Sequence, residues 1–63
     1  MTQQEAINVL EQWIQEHSFF AAHVVNAILD AEGAWRVQAE CSEAIWWQKV
    51  NNAGEVGEPE IID

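Results

Sequence analysis

Two segments of the chain, LDAEGAW at residues 29–35 and VNNAGEV at residues 50–56, are written on one template. Each runs apolar residue, Asp or Asn, two small or polar residues, Gly, any residue, apolar residue. Asp and Asn favour the opening position of a type I turn. Gly accepts the left-handed conformation that follows it, so the template is that of a short hairpin connection with a bulge. Helix C-caps also use Gly, but here apolar residues resume directly after each one, which suits a returning strand better. Two copies, 21 residues apart, therefore predict two successive hairpins with turns at 30–33 and 51–54.

The segment between the turns agrees. In AWRVQAECS, Trp35, Val37, Ala39 and Cys41 fall on one side of an extended chain, and Arg36, Gln38, Glu40 and Ser42 on the other. Strict alternation of this kind marks a half-buried strand. Strands are expected at about 22–29, 34–41 and 44–50, with a short fourth segment near 55–62. Pro59 restricts that last piece to a sheet edge or a tail, and residues 57–63 read as an acidic tail.

The N-terminus has a different period. Thr2 and Glu5 make the T-x-x-E pattern of a capping box. After it, Ala6, Leu10, Trp13, Ile14 and His17 recur at helical spacing, broadened by Ile7 and Val9, while Glu11, Gln12, Gln15 and Glu16 form a polar side. The pattern predicts a helix over 3–17. Phe20, Val24, Ala27, Ile28 and Ala31 also fit a helix, with Ser18 as cap and Gly33 as stop, so a three-helix bundle is the alternative. The paired turns favour an α+β fold instead. Residues 1–63 then form a single domain, one N-terminal helix on a three- to four-stranded antiparallel meander.

In that fold the neighbours Trp46 and Trp47 point to opposite sheet faces. In one register Ala44, Trp46 and Val50 join Trp35 and Val37 beneath the helix, while Ile45, Trp47 and Lys49 lie outside; the other register exchanges the two indoles, so the expectation is one outward indole. No second helix is left to cover Trp47. It is expected on an open face near Arg36, Gln38 and Glu40, with Ile45, Val24 and Ile28 beside it, and with Arg36 placed for a cation–π contact. Covering such a patch with a second copy is one use for it, so a homodimer is an expectation of the pattern.

Size and charge narrow the job. At 63 residues with one cysteine, Cys41, the chain has no disulfide and no zinc spacing to staple it. A domain this small buries only about 60% of the surface its unfolded chain exposes. Eleven Asp and Glu face only Arg36 and Lys49, for a net charge of −9. Direct binding to nucleic-acid phosphates needs Lys and Arg and is excluded on that ground, as is attraction to anionic membranes. The first residues lack the basic and apolar runs of a signal peptide, which leads to a cytoplasmic expectation. No spacing for a metal, a phosphate loop or a nucleophile with its base is present, so no catalytic residue and no cofactor is expected. His17, His23 and Cys41 read as helix-end, surface and small buried residues respectively.

What is left is an interaction protein. A strongly acidic chain associates fastest with basic surfaces. The expected partner is a larger protein with a basic surface, and the carboxylates then stand where nucleic-acid phosphates would. Candidate contact residues are Trp47, Ile45, Arg36, Glu40, Glu11, Glu16, Glu55, Glu58 and Glu60, with Asp63 extending the C-terminal acidic run. Tiny acidic phage inhibitors of host nucleases and polymerases share this general profile, an analogy of composition that no motif carries. A structural module that self-associates through its outer sheet face is the alternative.

Overall fold

The computed structural model describes residues 1–17 and 22–62. Ser18 and Phe20, assigned above to a second helix of the bundle, lie outside the described residues, as do Phe19, Ala21 and the terminal Asp63. The chain forms α1 (Gln3–Glu16), β1 (His23–Leu29), β2 (Trp35–Glu40), β3 (Ile45–Val50) and β4 (Glu60–Ile61). The strands pair antiparallel in the order β1-β2-β3-β4, and the helix packs on one face. The fold is α+β and not a three-helix bundle.

Helix α1 starts where its capping box places it. The Glu5 N–H donates to Thr2 Oγ1 at 3.2 Å, and the Thr2 N–H donates to Glu5 Oε1 at 2.8 Å. Hydrogen bonding to the carboxylate, first from the Thr2 backbone N–H and then from the Thr2 side chain, holds the Glu5 carboxyl below its ordinary pKa. Ala6, Leu10 and Ile14, one residue per turn, are buried against Ala27, Val37, Ala39, Trp46 and Val50 of the sheet. The helix ends at Glu16, one residue earlier than expected, with His17 as its C-cap. Its ring stacks on Trp13 with centroids 4.1 Å apart, and Trp35 Nε1 donates to the Met1 carbonyl, so aromatic groups hold both ends of the N-terminal segment.

The two hairpin connections are the same structure twice. The Gly33 N–H donates to the Asp30 carbonyl, and the Gly54 N–H to the Asn51 carbonyl. Asp30 Oδ1 accepts from the N–H groups of Glu32 and Ala34, as Asn51 Oδ1 does from Ala53 and Glu55. Gly33 and Gly54 sit at φ +83° and +82°, the left-handed region that a Cβ disfavours. Each Asx side chain thus replaces water for two turn amides, which is why the template demands Asp or Asn at its second position.

The equivalence gives a test. Enclosure of the Asp30 carboxylate raises its pKa, but donation from the Ala34 and Glu32 amides and the nearby Lys49 ammonium more than reverse that, so it titrates below the ordinary aspartate range. A carboxyl whose folded pKa is depressed stabilises the fold above its unfolded pKa and loses that contribution as pH falls through the folded value. Asp30→Asn keeps the turn geometry, as Asn51 shows, and removes the proton. The variant should therefore lose stability less steeply than wild type on acidification below the aspartate range, with Glu5 supplying part of the slope that is left. Urea unfolding at a series of acidic pH values measures this, and identical slopes would exclude the assignment.

Two features depart from strict alternation. The β1–β2 register shifts between Val24, opposite Ala39, and Asn26, opposite Gln38. This bulge puts one extra residue on β1, so Val24 packs against the core while Ile28, opposite Arg36, lies on the outer face. The expectation that Val24 and Ile28 share the outer face is corrected accordingly. The second departure is Gln48, which stands between Trp46 and Val50 on the helix side and is only 1% exposed. Its Oε1 accepts from Trp46 Nε1 at 2.7 Å, and its Nε2 donates to the Gly57 carbonyl at 2.9 Å. The amide thereby ties the β3–β4 connection to the core where Pro59 interrupts regular pairing.

Both sheet edges are blunted. Alternation along the β1–β2 ladder turns the N–H and C=O of Ala27 toward the free edge. The N–H donates to Asn26 Oδ1 and the carbonyl accepts from Gln3 Nε2, each at 2.9 Å. At the other edge β4 is two residues long and follows Pro59. A strand from another molecule finds no continuous ladder at either side.

Candidate partner-binding surface

The outer sheet face is built from alternate residues of the strands. The register sets Arg36 opposite Lys49, Gln38 opposite Trp47, Glu40 opposite Ile45, and Trp47 opposite Glu60. Trp46 is buried at 4% exposure and Trp47 half-buried on the other side, so the register makes Trp47 the outward indole. The Ile62 N–H donates to the Ile45 carbonyl, which continues the β4 register and places Ile62 beside Ile45. Ile28 and Ile62, at 48% and 55% exposed, flank the Trp47 centre on β1 and β4. Val25, in the bulge, is another exposed aliphatic residue of β1.

Electrostatically this face is mixed rather than bare. The Arg36 guanidinium lies 5.0 Å from the Trp47 ring centroid, the expected cation–π contact. Its Nη2 is 3.9 Å from Glu60 Oε2. Lys49 Nζ lies 3.6 Å from Asp30 Oδ2 and 3.5 Å from Glu32 Oε2, and His23 Nε2 lies 3.1 Å from Glu40 Oε1. All these groups except Asp30 are substantially exposed, so each pair contributes little to stability. Their consequence is positional: Arg36 and Lys49 both sit on the outer sheet face, and each already has a carboxylate near it.

The nine candidate contact residues consequently divide. Trp47, Ile45, Arg36, Glu40 and Glu60 come together on the outer sheet face. Glu11 and Glu16 belong to α1, in the opposite layer, and no Lys or Arg occurs in that helix. Glu55 and Glu58 lie in the β3–β4 connection, both exposed, with Glu55 Oε1 accepting from Asn51 Nδ2. A single surface holding all nine, with the indole at its centre, does not form.

The helix layer carries a feature that periodicity alone did not indicate. A groove of about 500 Å³ runs between α1 and the β3–β4 connection. Val9, Trp13 and Val56 are half-buried against the core and form its floor; the exposed Asn8, Gln12 and Glu16 form its helical rim. Trp13 and Val9 were legible as helix residues, but the partner across the groove belongs to a turn far along the chain. Cys41 is half-buried against the core, as a small apolar residue would be. Among the described residues no three of His, Cys, Asp and Glu gather closely enough to hold a metal ion. No helix of the described residues is long and apolar enough to cross a membrane. Compared with family models, with curated proteins and with solved structures, the chain matches none.

Proposed function

We propose that this chain is a non-enzymatic interaction protein that binds a basic surface of a larger protein and blocks nucleic-acid access to it. The observation that carries this reading is the separation of charge between the two layers. Arg36 and Lys49 are both on the outer sheet face beside carboxylates, while α1 has Glu5, Glu11 and Glu16 without any Lys or Arg among them. The helix layer therefore presents negative charge with no basic side chain of its own helix to neutralise it, and such a field draws in a basic partner and repels nucleic acid. The test is displacement. Proteins captured from a host lysate at low salt are offered a labelled duplex with and without the chain. The reading expects the duplex to be released, and released less as salt rises. Capture of partners that never bind nucleic acid would refute the blocking role.

A second reading, self-association, is favoured by Ile28, Ile45, Trp47 and Ile62 on the outer face. Because both sheet edges are blunted, two copies would meet face to face rather than strand to strand. Burying the half-exposed indole with Ile45 contributes about 2–3 kcal/mol per protomer on area grounds. Sedimentation at micromolar concentration should then show a dimer that Trp47→Ala weakens by about tenfold or more. A wild type that is monomeric across that range removes this reading and leaves the acidic layer as the working surface.

A further inference from the structure

Any contact between two copies of this chain brings together two bodies of net charge −9. The outer sheet face is where that repulsion is least. Arg36 and Lys49, the only Arg and Lys of the chain, both stand on it with Glu40 and Glu60, so the face itself is close to neutral. The charges are also sorted along the strands. The register sets three rows across β2, β3 and β4: Arg36 and Lys49 nearest the hairpin turns, then Gln38, Trp47 and Glu60, then Glu40, Ile45 and Ile62. One end is basic, the other holds Glu40, and the half-buried Trp47 lies between them. Lys49 already has Asp30 and Glu32 of the adjoining turn within 3.6 Å, whereas among the described residues Arg36 has Glu60 alone, at 3.9 Å. Arg36 is therefore the cation with most to gain from another carboxylate.

Sheets that pack face to face in the aligned class keep their strands within about 30° of each other, which leaves a twofold pair two ways to meet. With the axis along the strands, β2 covers β3 of the second copy, and Arg36 lands on its Lys49, like charge on like, twice. With the axis across the strands, β2 covers β2 with its direction reversed. Arg36 then lands on Glu40 of the second copy and Glu40 on its Arg36, while the two Trp47 indoles meet near the axis and the Lys49 stem lies over Ile45. Glu60 faces its own copy in this arrangement, with its own Arg36 3.9 Å away to offset the charge. We propose that two copies of this chain pair through the outer sheet face about an axis across the strands, held in register by two reciprocal Arg36–Glu40 contacts. The inference rests on the self-association reading and adds the determinant that chooses one arrangement. Both helix layers face away from the contact, so their carboxylates stay clear of it.

The test is sedimentation of the whole chain at micromolar concentration, wild type and variants, with urea midpoints to show that each variant folds. Arg36→Glu alone and Glu40→Arg alone should each weaken the dimer by about tenfold or more, because each sets two like-charged pairs against one another. Mixing the two single variants should restore a dimer, since in the mixed pair every contact is again between opposite charges. The double variant carrying both changes should dimerise by itself for the same reason. A dimer tightened by Arg36→Glu would overturn this arrangement in favour of the axis along the strands, where the new carboxylate meets Lys49. Single variants that leave the dimer unchanged, or weaken it with no recovery on mixing, would overturn the reciprocal contact while leaving self-association standing. A wild type that stays monomeric throughout would overturn both.

Discussion

Leu10→Ala should leave the protein largely unfolded at room temperature. Leu10 is fully buried at the middle of α1, between Ala6 and Ile14, and among the described residues it is the largest fully buried side chain. Truncating a buried leucine costs about 2–5 kcal/mol through lost transfer energy and the cavity left behind. A core of this size supplies only about 3–5 kcal/mol in total when nothing staples it, and Cys41 has no partner with which to form a disulfide. The loss is therefore comparable to the whole stability. Far-ultraviolet circular dichroism with a urea titration measures it directly. Leu10→Met, which nearly conserves volume, should cost less than about 1.5 kcal/mol, and Gln12→Ala on the exposed side should be close to neutral. A Leu10→Ala protein with an unchanged urea midpoint would mean that the sheet is stable without the helix, contrary to the shared core.

The second large effect concerns binding. Replacing Glu11, Glu16, Glu55 and Glu58 together by Gln should slow association with the basic partner by about tenfold or more and flatten its salt dependence. No one of the four should be indispensable, because each exposed charge contributes only about 0–1 kcal/mol and is screened over about 8–10 Å at physiological salt. The fold should survive, since all four are exposed and the amide oxygen that replaces the Glu55 carboxylate can still accept the Asn51 bond. Glu60→Gln alone should have little effect on association, because Glu60 lies on the outer sheet face near Arg36. Stopped-flow association at several salt concentrations separates the two groups. Unchanged rates at every salt concentration after the fourfold neutralisation would reduce the acidity to a solubility feature. The same result with Glu60→Gln dominant would move the binding surface to the sheet.

Both experiments start from elements that the chain encodes locally. The capping box, the apolar repeat of α1 and the two Asx-Gly turns each depend on groups within a few residues of one another, so their chemistry is complete in the sequence itself. The turns set the direction of the strands, and the alternation of β2 and β3 set the faces. That is why one of Trp46 and Trp47 is expected to face outward, whereas which of the two does so waits on the register with β2 and β4. The same local reading overcommitted at Val24. A bulge adds one residue to one strand, and nothing in HVVNAIL announces it, because its effect exists only against the register of the partner strand.

Three further features belonged to the tertiary structure alone. Gln48 is polar by type, and its burial is made tolerable by two hydrogen bonds, from Trp46 Nε1 to its Oε1 and from its Nε2 to the Gly57 carbonyl. The second of these partners comes into reach only when the 51–54 turn folds the chain back and lays Gly57 beside β3. The blunted β1 edge needs Gln3, from the far end of the chain, to reach the Ala27 carbonyl. The acidic residues look like one population in the sequence, but folding divides them between two layers and collects Arg36 and Lys49 in one. Local chemistry decided which elements form, whereas the pairing of distant segments decided which charges share a face and where a groove opens. Charge and shape act through space, and only the packed chain settles which residues are neighbours there.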